Sequence, residues 1–410
     1  MITAAVSVRQ PLAVEEILQR IEFKYSALET VICGAAAAGE LERQINLLEC
    51  ERVFLVASAS LNKATDNFSE IRAVLGDRIV GLFKEVRSHT PREDILVGLQ
   101  LARAANADVL VSLGGGSIID ASKVIQLALD QDVTTAEELV QYAQAADGSR
   151  GSKAGDLSLF NGGSKIRQIA IPTTLSGAEF SNNGGVLNTE ISAKEGYRGI
   201  DLCPRSIIYD PALSQHTPEW LWFSTAIRSL DHAVEGYCSP EANPYVKGHF
   251  LHAMRLFAES LPAVKADSTN LQARSLNQQA VWLSCCALGN VSHGASHGIG
   301  YTLGSLCGVP HGYTSCVMLP AVLEWNSANQ SLQQVGISEA LGMPDQSAAV
   351  AVKSLIASLS LPTTLQAVGV EKDQLAAIAA QAIKHPVVRK NPRSLENAQQ
   401  VEEILQLACA

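Results

Sequence analysis

A chain of 410 residues with 47% apolar residues, only 18% charged residues and a net charge of −10 is too apolar to be disordered. Its acidity, with no basic block, excludes a nucleic-acid binder or a partner of anionic membranes. At roughly 150 residues per domain the length implies two to three domains. No apolar run reaches the ~18 residues of a spanning helix, and residues 1–16 hold no apolar core of a secretory signal. The nine cysteines are scattered without a CxxC pair, which reads as reduced thiols in a cytoplasmic protein.

In chain order, VFLVA (53–57) reads as a strand, 61–75 as a helix and IVGLF (79–83) as a strand. A helix over 91–105 opens at Pro91, and DVLVSL (108–113) is a strand followed by Gly114-Gly115-Gly116-Ser117 and a helix over 117–129. A helix over 134–144 leads into a polar stretch, 144–166, long enough to act as a lid. RQIAI (167–171) is the next strand. Alternating β and α units imply a parallel sheet covered by helices. After Asp210-Pro211 strand-like runs vanish. Helices are expected over 218–238, 244–264, 271–289, 291–304, 313–329, 346–360 and 371–384, broken by Pro or Gly. The fold class is therefore α/β plus all-α. Residues 1–210 form a Rossmann-like parallel-sheet domain that binds a dinucleotide, and residues 211–410 form an all-helical catalytic domain.

The chemistry-bearing residues cluster in four places. Gly114, Gly115, Gly116 and Ser117 join a strand to a helix, where glycines admit a ligand to the backbone and helix-start N–H groups favour phosphate. A tight turn without a ligand is the plain alternative. Thr173, Thr174 and Ser176 follow another strand, at the end where open α/β sheets meet ligands. Ser58 and Ser60 follow the first strand, with no Asp or Glu there to select NAD over NADP. In the helical half, Arg228 and His232 share a helix face, with Asp231 and Glu235 beside them. His293, His297 and Tyr301 are spaced by four, as one helix face, and His311 follows. Isolated histidines are mostly packed or solvated, so the signal lies in their grouping.

GGGSIIDASK (114–123), IPTTLSGAE (171–179), SLDHAVEGY (229–237) and the His297-to-His311 segment, in that order, resemble the iron-containing (group III) alcohol dehydrogenases and their dehydroquinate-synthase-like fold. HTP (89–91), PTTLSGAEFSNNGGV (172–186) and TLGSLCGVPH (302–311) favour the maleylacetate reductase branch. The resemblance implies hydride transfer between NAD(P)H and a carbonyl or carboxylate-bearing small molecule, in a cleft between the domains, by a homodimer. It adds Asp120 and Glu179 to the dinucleotide-binding set. In metal-dependent relatives one Asp and three His hold a divalent ion; the His positions match His232, His297 and His311. The Asp position is Arg228, which stays charged and cannot ligate. Asp231, one residue from His232, faces differently on an ideal helix and is a poor substitute. Iron or zinc is therefore not expected, and Arg228 is assigned to polarising the carbonyl. His232, His297, His311 or Tyr301, the last where relatives carry a proton-relaying histidine, would supply the proton. A repurposed non-redox, lyase-type enzyme and a non-catalytic nucleotide-binding protein remain as alternatives.

Overall fold

The inner strands Val53–Ala57 and Val109–Gly114 are almost wholly apolar, so both faces must be covered. In the computed structural model, which describes residues 20–61, 66–145, 149–154, 163–190 and 193–409, they are. β1 (Thr30–Cys33), β2 (Val53–Ala57), β3 (Ile79–Phe83), β4 (Val109–Gly114), β6 (Arg167–Pro172) and β9 (Ser206–Tyr209) form one sheet in the order β1-β9-β6-β4-β2-β3. All its pairings are parallel, and every residue of β2 and β4 is buried. Helices α1 (Ala37–Leu47), α2 (Asp66–Leu75), α3 (Arg92–Ala104) and α4 (Gly116–Asp130) make the crossovers. The chain runs outward from β2 to β3, then returns to the other side of β2 as β4. Ligands of open parallel sheets bind at such a reversal, outside the carboxyl ends. Ser58 and Gly114 stand there, joined through the bond from Ser58 N to Leu113 O at 2.9 Å.

Several elements differ from expectation. The helix read over 134–144 is short, α5 (Ala136–Val140), and gives way to β5 (Ala143–Ala145). That strand joins β7 (Asn183–Asn188) and β8 (Ala193–Arg198) in a separate antiparallel sheet of order β5-β8-β7, which hydropathy did not reveal. Of the 144–166 stretch, residues 146–148 and 155–162 lie outside the described residues, as do residues 1–19 on which the leader reading rests.

From Pro211 onward the regular elements are helical: α6 (Pro211–Ser214), α7 (Glu219–Cys238), α8 (Pro244–Ala266), α9 (Leu271–Cys285), α10 (Ala295–Cys307), α11 (His311–Ala340), α12 (Ala348–Ser358), α13 (Leu375–Ala382) and α14 (Ala398–Leu407). The run read as 313–329 is part of the longer α11, with a break in helical geometry at Gln330. The helix read over 291–304 begins four residues later, because Gly294 is not helical (φ −121°, ψ −145°). Every residue of α7 from Trp222 to Gly236 is buried. A helix enclosed on all sides must pair each polar side chain it carries, and α7 carries Arg228, Asp231, His232 and Glu235. Among the described residues no helix is long and apolar enough to cross a membrane.

Candidate active site

The polar groups of α7 find their partners on α10, α11 and the turn before α10. Glu235 accepts from the backbone N–H groups of Gly294 (2.8 Å) and Ser296 (2.7 Å) and lies 2.7 Å from His297 Nδ1. A buried carboxylate at the start of α10 also answers that helix's unsatisfied N–H groups. His297 Nε2 lies 2.8 Å from His232 Nδ1, which in turn lies 3.0 Å from His293 Nε2. Asp231 Oδ2 accepts from Ser296 Oγ and Ser315 Oγ, each at 2.7 Å, and stands 3.4 Å from His297 Nδ1. Arg228 donates to Ser315 Oγ at 3.0 Å and reaches to 3.9 Å from the same Asp231 oxygen. The expectation that Asp231 faces elsewhere is thus corrected: helices packed on two sides of α7 enclose it with Arg228 and His297. His293 is not part of the α10 stripe either. It sits in the turn before α10, and its ring stacks on His297 at 4.0 Å.

The charges settle one another. Burial pushes Asp231 up, but the facing His297 and Arg228 outweigh it and hold the carboxyl below its ordinary value. Burial and Arg228 push His297 down; Asp231 and Glu235 prevail and hold it above the ordinary imidazole value. His232 has no such support. Burial first, then His297, His293 and Arg228, hold it well below that value.

A second wall is aromatic. Arg228 lies over the Tyr301 ring at 5.4 Å, and Tyr301 stacks against His311 at 5.7 Å. Arg228, ahead of burial, depresses His311 strongly. His385, from the segment after α13, packs against Tyr301 at 5.1 Å. His311 is therefore beside Tyr301, apart from the trio of His232, His293 and His297, whose ligand-capable nitrogens lie within 4.8 Å of one another. Ser296, Ser315 and His385 were not legible as site residues; their only signal is contact between distant segments.

The glycine loop and the threonine loop meet across the sheet edge. A Cβ on Gly115 would stand 2.9 Å from Thr174 Cγ2, and one on Gly116 3.1 Å from Ser176 Oγ. The glycines thus permit a close approach between loops. α4 starts with no side-chain cap, so its first N–H groups remain available to an anion. Thr173 and Thr174 are largely buried and Ser176 is half-buried. Ser58 and Ser60, 2.8 Å apart, lie at the accessible end of β2. Asp120 accepts from Gly185 N at 3.1 Å and so ties α4 to β7. Glu179 is fully buried and accepts from the Tyr209 hydroxyl. Lys123, with no exposed surface, donates to Ala178 O (2.6 Å) and Asn183 O (3.1 Å). Finally, Leu175 is held by α7: its N–H donates to Thr225 Oγ1 at 3.1 Å, and its carbonyl accepts from Ser229 Oγ at 2.5 Å.

Known proteins share this plan. The model of the iron-containing alcohol dehydrogenases matches residues 29–211, and that of the C-terminal domain of Fe-containing alcohol dehydrogenases matches residues 223–409. A dehydrogenase of Gibberella moniliformis, FUM7, is 32% identical over 88% of this chain and 91% of its own. A maleylacetate reductase of a Pseudomonas species is 27% identical over 89% and 92%. Among solved structures, the maleylacetate reductase of Agrobacterium tumefaciens (25% identical, 96% and 99% covered) superposes with a TM-score of 0.79. A 1,3-propanediol oxidoreductase (26% identical, 94% and 100% covered) superposes with 0.83. With both halves matched in order, and with a 32% identical relative covered nearly end to end, the chain belongs to the iron-containing alcohol dehydrogenase family of oxidoreductases.

Proposed function

We propose that the protein reduces a carbonyl with NAD(P)H in the cleft between sheet and helices, as its maleylacetate reductase relatives are named for doing, and that Arg228 takes the place of a metal. The observation that carries this is the buried guanidinium itself, fixed by Ser315 beside Asp231 and facing Tyr301.

The residues fit a dinucleotide: an uncapped helix start behind closely packed glycines, flanked by hydroxyls at the sheet's reversal. They depart from the one-Asp, three-His set of the metal-dependent relatives, although the ligand atoms of His232, His293 and His297, and those of Asp231, Glu235 and His297, each lie within 4.8 Å of one another. Arg228 stands where the carboxylate would be, and His311 stacks on Tyr301 instead of converging with His232 and His297. No step is derived through a metal.

The dinucleotide supplies the hydride when bound. Backbone N–H groups after Gly115 receive its pyrophosphate, and Ser58 and Ser60 meet the ribose of either cofactor form, since no carboxylate there rejects a 2′-phosphate. Arg228 directs fixed N–H dipoles at the carbonyl oxygen, where negative charge develops. Asp231 and Ser315 hold that guanidinium in place. Tyr301, under the guanidinium and against His311, protonates the oxygen, its developing phenolate stabilised by the cation over its ring. His297, engaged by Glu235, Asp231 and His232, maintains the charge balance of the buried cluster.

The test is turnover of NADH and NADPH by metal-stripped protein with a panel of oxo acids and aldehydes. Turnover that survives chelation is expected. Activity that vanishes on chelation and returns with zinc or iron would sink the role of Arg228. Dinucleotide binding without turnover of any carbonyl would favour the non-redox, lyase-type reading.

A further inference from the structure

Three arginines are buried among the described residues: Arg92, Arg228 and Arg274. Arg92 pairs with Glu195 at 2.6 Å, and Arg228 faces Asp231 at 3.9 Å. Arg274, on α9 and only 4% exposed, meets no carboxylate among the described residues. Its Nε donates to Ser268 O at 2.8 Å, and its Nη1 donates to Ser214 O at 3.0 Å and Ser214 Oγ at 3.3 Å. Nη2 has no hydrogen-bond partner among them. Burial alone holds this guanidinium below its ordinary value. A buried charge is ordinarily paired, because neutral carbonyls return only part of the hydration it gives up.

Arg274 also lines a cavity of about 200 Å³ between the α6–α7 turn, the end of α8 and the start of α9. Trp222 and Phe223 line it too, and the exposed Ser268 and Glu219 stand at its rim. The guanidinium carbon lies 4.8 Å from the centre of the Trp222 ring. Trp222 Nε1 is spent on Asn277 Oδ1 at 3.0 Å, which leaves the indole only its apolar ring to offer. Glu219 is engaged by Lys265, and Asp267, beside Ser268, accepts from Thr269 N at 2.9 Å and Thr269 Oγ1 at 2.6 Å. The positive charge of Arg274 is left without an answer from any of them.

We propose that this cavity is an accessory binding site for a small carboxylate that carries one apolar ring, with Arg274 as its counter-charge and Trp222 and Phe223 as the surface for the ring. A carboxylate at Nη2 gains a charge-assisted hydrogen bond. The volume suits one ring with its carboxylate, since about 150 Å³ already accommodates benzene. The site is distinct from the dinucleotide loops and yet joined to them, because Thr217 on its wall donates to Thr173 O at 2.6 Å. It does not depend on the reductase reading.

Calorimetric titration of benzoate and of benzamide into wild type, Arg274→Met and Ser268→Phe tests this without turnover. Ser268 gives Arg274 only its backbone carbonyl, so Ser268→Phe obstructs the rim and keeps that bond. Wild type should bind one benzoate per chain, about tenfold or more tighter than benzamide, the gain expected of a hydrogen bond to a charged group. Arg274→Met should abolish that preference. Ser268→Phe should weaken benzoate by a similar factor, and it carries the test should Arg274→Met fail to fold. No binding at millimolar benzoate overturns the proposal, as does equal affinity for benzoate and benzamide in wild type. A preference that survives in Arg274→Met, or benzoate binding unchanged in Ser268→Phe, also overturns it, because the ligand then sits elsewhere, as at Arg228.

Discussion

The sheet side and the helical side of the proposed site are built on opposite principles. The sheet side is a backbone device: glycines, hydroxyls and a helix start, each on a short loop after a strand and brought together by loop-to-loop packing. The helical side is an ionic device. Arg228, Asp231, His232 and Glu235 come from one buried helix, and His297, Ser296, Ser315 and Tyr301 come from two others. A backbone device tolerates changes of side chain that keep its shape. An ionic device in a low-dielectric interior does not, because each charge it loses leaves another unpaired.

Damage should therefore be greatest on the helical side. Arg228→Ala leaves Asp231 with hydroxyls and one histidine. It should lower kcat/KM on the order of a thousandfold and stability by about 3–5 kcal/mol, read by steady-state assay and denaturant unfolding. Retention of activity in Arg228→Ala would break the contrast outright. Tyr301→Phe should lower kcat on the order of a hundredfold or more while unfolding is unmoved, separating proton supply from architecture.

On the sheet side, Glu179 offers a titration. Burial raises its carboxyl from 4.5 to about 7. The folded protein keeps a proton that the unfolded chain releases above its lower value. The neutral group's contribution is thus full at low pH and is lost as pH climbs through about 7. Glu179→Gln, always neutral, should flatten this, gaining up to about 3 kcal/mol on wild type between pH 4.5 and 8. Parallel stability curves for the two proteins would refute the assignment. Gly115→Ala places a methyl against Thr174, an overpacking of about 1–3 kcal/mol. It should weaken dinucleotide affinity more than it lowers kcat at saturation. Smallest, Ser229→Ala removes one hydroxyl donor to Leu175 and should cost about 1 kcal/mol.

The same contrast explains what could be read in advance. VFLVA, DVLVSL and RQIAI are apolar runs long enough to identify themselves, and the glycine and threonine loops follow two of them directly. β1 and β9, four residues each, are too short to stand out. β7 and β8 (NGGVLN and AKEGYR) are polar and glycine-bearing, held by pairing rather than by hydrophobicity. On the helical side the histidines and Arg228 were legible because their types are uncommon and their spacing is helical. Spacing could not show that Gly294 delays the start of α10, which moves His293 off the stripe. It could not show that serines from α10 and α11 would draw Asp231 into the cluster.

Leu175 is gripped by Thr225 and Ser229, four residues apart and so one turn apart on α7, with Arg228 and His232 on the following positions of the same winding. This sets what the lineage can change. One residue inserted into α7 between Thr225 and His232 would turn everything beyond it by roughly 100° and swing either the grip or the histidine off its target. A point substitution leaves this winding in register. Insertions and deletions in this stretch should be absent from functional descendants, so new substrates would be acquired by changes that keep its length.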